Sequence, residues 1–544
     1  MDKALATART RLNHNTHTME TTNLLLSIAW PVSLSTLYYP ALHIVDLAIV
    51  GHSLGALSLT AATLTLLVVN LTLEPACFVL TNAITTLCAA NDNVAHVQSY
   101  LRGAAVLSFL VALPIAGLLL ATPAMLSPLL VSPELVEAVG AYATSYAVSI
   151  VPSLLLAALI GLLRAQRRVR QTALLCALTV LPNAGFALLL VPWRGLSGSA
   201  FASTATRLAT LLLLAFQHGD ALGLGAPTPP SLSHGGNSYS SESAAFAAAT
   251  ATPPPTVGQA LTALGKHFGH AMLPATLRTG VARVLAILAL VFGGPAEGTI
   301  LALASLLLEA FHAICMGVQQ AALMLSSRRL HEQRPDKVRH TMRVAGLLLT
   351  LLALACAIAC ALLHPLVGLL FTTTSGGEIA TGLQALSAYI PPILLLRTAS
   401  GLYGQFFAVT GRGAIGTVIL AAAHWVVGLP AAALWAAWTT HNIGGGGSEG
   451  EDGAAPAATI LFRAHAAAWL LTSAAFAGFY LFYPTAPPPP PPQLPLQMES
   501  SSPSSSLSGR NLTTPLLSES SRSISEPPPP QYTDLKKPCT TDSA

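Results

Sequence analysis

The sequence predicts an all-α polytopic membrane protein whose twelve transmembrane helices form two parallel six-helix repeats. Three observations predict it. Apolar segments of about 20 residues, the length that crosses a bilayer core, recur along the chain. Charged residues make up 9% of the sequence and hydrophobic ones 53%, with a mean hydropathy of +0.61. An ordinary soluble domain is roughly 25% charged, so this chain has too little polar surface to face water. The apolar segments also fall into two sets of six, and motifs of the first set return in the second.

Taken in order, residues 1–22 are polar and basic and read as a cytosolic N-terminus. Apolar spans near 23–50, 57–82, 100–121, 137–163, 172–192 and 197–217 make an N-lobe over 23–217. Residues 218–260 pass through "GAPTPPSLSHGGNSYSSES" and "ATPPP", a composition that cannot bury a core and reads as a disordered cytosolic linker. Spans near 267–292, 298–324, 343–364, 379–408, 413–438 and 458–483 make a C-lobe over 261–483. Residues 484–544, rich in Pro and Ser, read as a disordered cytosolic tail.

Orientation follows from the basic residues of the connections. With the N-terminus inside, 20 of the 26 Lys and Arg lie on the cytosolic side, and only Arg194 and Arg463 lie opposite. Both termini are therefore expected in the cytosol, and the net charge of +4 belongs to the membrane rim rather than to a nucleic-acid surface. No cleavable signal peptide is expected, because the first apolar run is a full-length span behind a basic start. The seven cysteines show neither CxxC nor metal spacing; six of them sit in or near spans, where they read as small buried apolar groups. No metal site and no cofactor are expected.

The repeat is legible in three places. "PSLLLAALIGLL" from Pro152 aligns with "PILLLRTASGLY" from Pro392, placing Gly161 against Gly401; "WPVSL" at Pro31 faces "LPATL" at Pro274; "LPNA" at Pro182 faces "LPAA" at Pro430. Six helices return a chain to its starting side, so the halves are parallel and related by an axis along the membrane normal, as in two-lobed secondary transporters with a central cavity.

Five motifs occur in the order of one known family: "WPVSLSTLYYPALHIVDLAIVGHSLGALSL" at 30–59, "TLCAANDN" at 86–93, "VPSLLLAALIGLLRAQ" at 151–166, "GLSGSAFAST" at 195–204, and "TGRGAIG" with "HWVVGLP" at 410–430. Over about residues 22–483 the chain resembles the multidrug and toxic compound extrusion (MATE) transporters. The resemblance implies a two-lobed MATE/MOP-type transporter that exports organic solutes by alternating access against inward flow of protons or sodium. It implies that Asp46 is the coupling acid, with Asn183 and Ser203 as its neighbours. The chain departs from the pattern at Ala187, where a carboxylate or amide is usual, at Ala282 and Arg283 on the seventh helix, at Arg397 on the tenth, and in "LSSRRLHE" at 325–332.

An ionised side chain at the bilayer centre costs roughly 2.5–3.5 kcal/mol on insertion scales, so each one needs a reason. Asp46 shares a helix face with His43 and Tyr39, at helical spacing, and His43 is expected beside it among the proton-coupling residues. A carboxylate there can take a proton on one side of the membrane and release it on the other. Pro40 removes the backbone bond to the Thr36 carbonyl and makes a hinge that protonation of Asp46 could bend. The alternative is permanent neutralisation of Asp46, for instance by Arg207. On the eighth helix Glu309, His312, Met316, Gln319 and Gln320 form a polar stripe. Glu309 is the C-lobe acid, unless it pairs with Arg283 or Arg278. Tyr39, Glu309, His312, Gln319, Arg397 and Gln405 are the expected cavity residues. An inward Arg397 offers a bidentate partner for a carboxylate.

In the tail, "PPQY" at Pro529, Pro530 and Tyr532 fits a WW-domain ligand, and "YTDL", ending at Leu535, fits a Tyr-based sorting signal. The expected function is proton-coupled antiport of drug-like or metabolic organic solutes, with cations first and citrate-like anions as the alternative. A lipid or lipid-linked flippase of the same fold is the rival reading; an enzyme is not expected, since no catalytic motif is present. A monomer in the plasma membrane or an endosomal or vacuolar membrane is expected.

Overall fold

A computed structural model of the chain describes residues 2–89, 94–129, 132–166, 168–217, 254–331, 334–373, 377–409, 412–444 and 457–482. All of them lie in one unit, Met1–Pro488. The tail motifs and most of the linker lie outside the described residues, which are helical with no strand among them.

The first helix, Asp2–Leu54, and the second, Ala56–Ala89, are joined at Gly55. The third is Val94–Leu126, and the fourth is a bent pair, Pro133–Ala147 and Ile150–Ala165. The fifth, Val169–Leu178 with Val180–Arg194, and the sixth, Leu196–Gln217, complete the N-lobe. One helical element, Val257–His331, follows. Then come Pro335–Leu363, the bent pair Glu378–Ser387 and Ile390–Val409, the run from Gly413 to Gly444, and Ala457–Phe482.

Nine of the described helices are long and apolar enough to cross a membrane, or eleven with each bent pair taken as one span. The element Val257–His331 has 75 residues, and at 1.5 Å per residue it is far too long for one crossing. It breaks at Gly294, where φ is 85°. Arg283 bonds to Glu309 across this break, 26 residues along, so the chain doubles back there. The expected twelve is reached by taking its two arms as the seventh and eighth spans. Gly55, with φ 82°, turns the first helix into the second in the same way. Only glycine adopts this backbone without steric cost, so the opening hairpin of each lobe depends on one residue.

The seventh helix starts inside the stretch assigned to the linker. Thr256 Oγ1 accepts from the Gln259 backbone N–H, and Gln259 Oε1 accepts from the Thr256 N–H, a reciprocal cap ahead of Val257.

The repeat seen in the sequence is present in the backbone. The fourth span bends by 45° before Pro152 and the tenth by 50° before Pro391 and Pro392, because these prolines have no N–H for the preceding turn. Gly161 lies against the Thr81 backbone of the second helix, where a Cβ would not fit, and Gly401 against the Gln319 side chain of the eighth, which a Cβ would displace. Polar groups bond across both contacts: Thr81 Oγ1 donates to the Ala157 carbonyl at 3.0 Å, Thr85 Oγ1 to the Gly161 carbonyl at 2.9 Å, and Gln319 Nε2 to the Thr398 carbonyl at 3.1 Å. Small residues with hydrogen bonds are how helices adhere where lipid removes the hydrophobic drive.

The most apolar spans are among the least buried. The third span, with mean hydropathy 2.5, and the ninth, with 2.7, are only 33% and 28% buried, whereas the second and the seventh–eighth element are 72% buried. The most apolar helices therefore face lipid, and the second, seventh and eighth form the centre.

The lobes meet along the first and eighth helices, where Ser33 Oγ donates to the Ile314 carbonyl at 2.7 Å and Gly317 rests on Ala29 and Ser33. Gly317→Leu should force the lobes apart at a cost of about 1–3 kcal/mol. A lower apparent Tm in detergent checks this; an unchanged Tm would mean that the contact is loose.

Candidate functional site

Two sites emerge, one inside the N-lobe and one between the lobes. Asp46 on the first helix is 1% exposed. Asn183 Nδ2 on the fifth helix donates to its Oδ1 at 2.7 Å, and Ser203 Oγ on the sixth donates to its Oδ2. The three residues named from the resemblance are thus brought together from three helices. Asn183 Oδ1 has no partner. The carboxylate has two donors and no ion pair among the described residues.

Arg207, the alternative neutraliser, is committed elsewhere. It donates to Ser149 Oγ at 2.9 Å and to Tyr146 OH at 2.7 Å, lies over the Tyr146 ring at 5.1 Å, and approaches His43 Nε2 at 3.4 Å. His43 also meets Tyr146 OH at 3.2 Å, so it belongs to the Arg207 cluster one turn from Asp46. His43, Tyr39 and Arg207 line a cavity of about 100 Å³. The first helix continues unbroken through Pro40, whose ring lines the larger cavity described next.

That cavity, of about 430 Å³, lies between the lobes. Thr36, Pro40, Glu74, Phe78 and Asn82 form its N-lobe wall, and Arg278, Glu309, His312, Gln319, Arg397 and Trp469 are among the residues of its C-lobe wall. Of the expected cavity residues, Glu309, His312, Gln319 and Arg397 line this cavity and Tyr39 lines the smaller one. Gln405 is buried and is not among the lining residues. Asn82, Ala271, Gly404 and Gly413 also line the large cavity, at the ends where odd-numbered spans begin and even-numbered spans finish. The cavity thus runs from mid-bundle toward the end that carries the N-terminus.

Arg283 resolves the alternatives left open for Glu309. It is 1% exposed and bonds to Glu309 in its own lobe and, at 3.5 Å, to Glu74 in the other. Arg278, five residues earlier, points to the cavity instead. Arg397 is 8% exposed, lies over Trp469 at 5.8 Å and lines the cavity. Neither Arg278 nor Arg397 is in an ion pair among the described residues. The cavity lining holds two carboxylates and two guanidiniums, and Arg283 behind it brings the group to one formal positive charge.

Sequence reasoning missed Glu74. Its signal was present, an acid inside an apolar span directly before Pro75. Behind Trp469, His465 accepts from Trp469 Nε1 at 3.0 Å, and His424 stands in a π-helical segment, Ala422–Gly428, with neither ring nitrogen bonded. Trp425 Nε1 donates to the Leu277 carbonyl, so it holds helices together.

The fold is that of known transporters. The eukaryotic MATE transporter AtDTX14 is 16% identical, with 86% of this chain and 97% of that one covered at a TM-score of 0.66. A multidrug resistance MATE family transporter of the MOP superfamily, in an inward-facing conformation, is 17% identical over 84% and 97%, at 0.62. A MOP superfamily transporter from Pyrococcus furiosus, for which a binding pocket of reverse polarity suggests a different function, is 15% identical over 85% and 97%, at 0.60. No curated protein sequence matches the chain. The family model described as MatE matches residues 31–189, the stretch that holds Asp46, Glu74 and Asn183. A MatE model thus matches the first part of the N-lobe, and the fold is similar to that of MATE transporters. The resemblance read from the motifs agrees with both the family model and the fold.

Removing one partner of a buried ion cluster leaves unpaired charge and costs about 3–5 kcal/mol. Arg283→Met should therefore lower thermal stability sharply, and adding Glu74→Gln and Glu309→Gln to it should restore most of the loss. A triple variant no better than the single one would show that Arg283 acts by packing alone.

Proposed function

We propose that the chain is a secondary active exporter of organic solutes that works by alternating access and is driven by protons through Asp46. The environment of Asp46 carries this reading: a fully buried carboxylate with two neutral donors and no cation. Ionised, it accepts from Asn183 and Ser203. Protonated, it must donate, and Ser203 oxygen or the unbonded Asn183 Oδ1, after a flip of the carboxamide, can accept. The same pocket can therefore satisfy both states, which a pocket built around a fixed salt bridge could not. Protons are favoured over sodium because a sodium ion needs a fuller oxygen cage than these three side chains offer.

In this reading the cavity faces the cytosol, with both termini on that side, as the distribution of basic residues predicts. Substrate enters between the lobes, and the protein moves to open the opposite end. Proton entry to Asp46 from that side, with a change of bend at Pro40, resets the N-lobe. A monomer suffices, since each chain holds a complete cavity.

The substrate's charge has two readings. Organic cations are the reading that the motif resemblance to drug exporters gives. The unpaired Arg278 and Arg397 favour an organic anion, since a guanidinium grips a carboxylate with paired hydrogen bonds. The archaeal MOP transporter with its reverse-polarity pocket supports a departure of this kind on the same fold.

Proteoliposomes with a preset pH gradient test both points. Substrate-dependent dissipation should be present in wild type and lost in Asp46→Asn, whose transport should no longer vary with pH. Transport of constant rate and pH profile in that variant would remove Asp46 from coupling. Citrate should trigger the dissipation if the arginines bind substrate, and tetraethylammonium if they do not. With citrate, Arg397→Gln should raise KM about tenfold or more, the effect of losing a charged hydrogen bond of about 1.5–3 kcal/mol. Proton movement with neither compound, together with lipid translocation without a gradient, would favour a flippase.

A further inference from the structure

Arg283 is the cation through which the two lobes are ionically joined among the described residues. Glu309, its partner in the C-lobe, comes from the same hairpin, the two arms folded back at Gly294. Glu74, its other partner, belongs to the second helix of the N-lobe. With both acids ionised, two carboxylates share one guanidinium and the cluster keeps one surplus negative charge.

The cluster's position gives that surplus a role. Glu74 and Glu309 line the central cavity at mid-bundle, with Arg283 buried behind them, while the other end of the cavity reaches Asn82, Ala271, Gly404 and Gly413. The Arg283–Glu74 contact therefore closes the cavity on its far side. In the alternating-access cycle proposed above, opening that side parts the lobes at this contact. Arg283 moves with Glu309, since both belong to one hairpin, and Glu74 loses its cation. The Glu74 side chain is 32% exposed and that of Glu309 only 9%, so water in the cavity reaches Glu74.

We propose that Glu74 is a second proton-binding site, separate from Asp46, and that a proton replaces Arg283 as its partner when the lobes part. A proton from cavity water adds to the free carboxylate to give the neutral acid, and it returns to water when the guanidinium comes back. No other reactant is needed. The site places one exchanging charge on the seam between the lobes, whereas Asp46 lies inside one lobe.

Other ionisable groups surround Glu74. From the N-lobe, Tyr39, His43, Tyr146, Arg164 and Arg207 face the smaller cavity that Glu74 also lines, with Cys77 on its own helix. From the C-lobe, Arg278, His312 and Arg397 face it across the larger one. Of these, Arg164 and Arg207 have fixed partners in Ser35, Ser149 and Tyr146. Glu309, on the same Arg283 and the same cavity, is the one other carboxylic acid facing Glu74 among the described residues, so the signal is assigned by its loss in Glu74→Gln.

The experiment is infrared difference spectroscopy of the full-length protein in liposomes, taken between neutral and acidic buffer, in the carbonyl region of protonated carboxyls. Wild type, Glu74→Gln and Asp46→Asn are compared. The expected result is a component lost in Glu74→Gln and kept in Asp46→Asn. A Glu74→Gln spectrum identical to wild type would overturn the proposal. If Glu74→Gln does not fold, Glu74→Asp retains an acid at the site: the component should then move in frequency, and an unmoved component would overturn the proposal equally. The proton role of Asp46 stands or falls separately. A component specific to Glu74, alongside transport unaffected by Asp46→Asn, would leave Glu74 as the coupling acid; the converse pattern would leave Asp46 alone.

Discussion

Arg283 is a permanent positive charge in the middle of a bundle that lipid surrounds, and such a charge is stable there only with anionic partners within reach. Its demand for partners draws three helices together: its own, the returning arm that carries Glu309, and the second helix with Glu74. Those helices include the most buried in the molecule. The arrangement of the centre follows, with the cavity on one side of this cluster and the two lobes joined across it.

Polar satisfaction organises the N-lobe in a different manner. Arg207 is as deeply buried as Arg283, yet it takes neutral oxygens and an aromatic face as partners, and it leaves Asp46 free of any cation. One lobe thus holds an acid without a base, and the other holds bases in excess of acids. Organic anions become reasonable cargo for the same reason that Asp46 becomes a reasonable proton carrier: the charges are kept from cancelling locally.

Much of this was legible in the sequence, because a membrane exaggerates the signals a sequence carries. The spans, the six-and-six division and the repeat followed from hydropathy and from prolines and glycines whose backbone consequences are fixed: Pro152 and Pro392 sit at paired bends, and Gly161 and Gly401 at paired helix contacts. Asp46, Asn183 and Ser203 stood out through a motif, and the structure brings them together. Glu74 was marked only as an acid inside an apolar span, and nothing local shows that it will meet an arginine 209 residues further on. The alternatives for Glu309 and for Arg207 were open for the same reason. Spacing along one helix tells which side chains share a face, but not which other helix that face meets. The early start of the seventh helix was missed because a reciprocal Thr256–Gln259 cap lies within a Pro-rich stretch whose composition argued for linker.

The third and ninth helices occupy equivalent places in the two lobes and turn most of their surface outward to lipid. Each lobe therefore carries its own apolar outrigger. When the lobes tilt against one another, these outriggers tilt with them, and the height of the hydrocarbon band they present changes. A bilayer resists mismatch at a cost of a fraction of a kcal/mol per Å. Membrane thickness then acts as a silent ligand of this protein, favouring whichever tilt matches it, and the same chain would rest in different states in a thin membrane and in a thick, sterol-rich one.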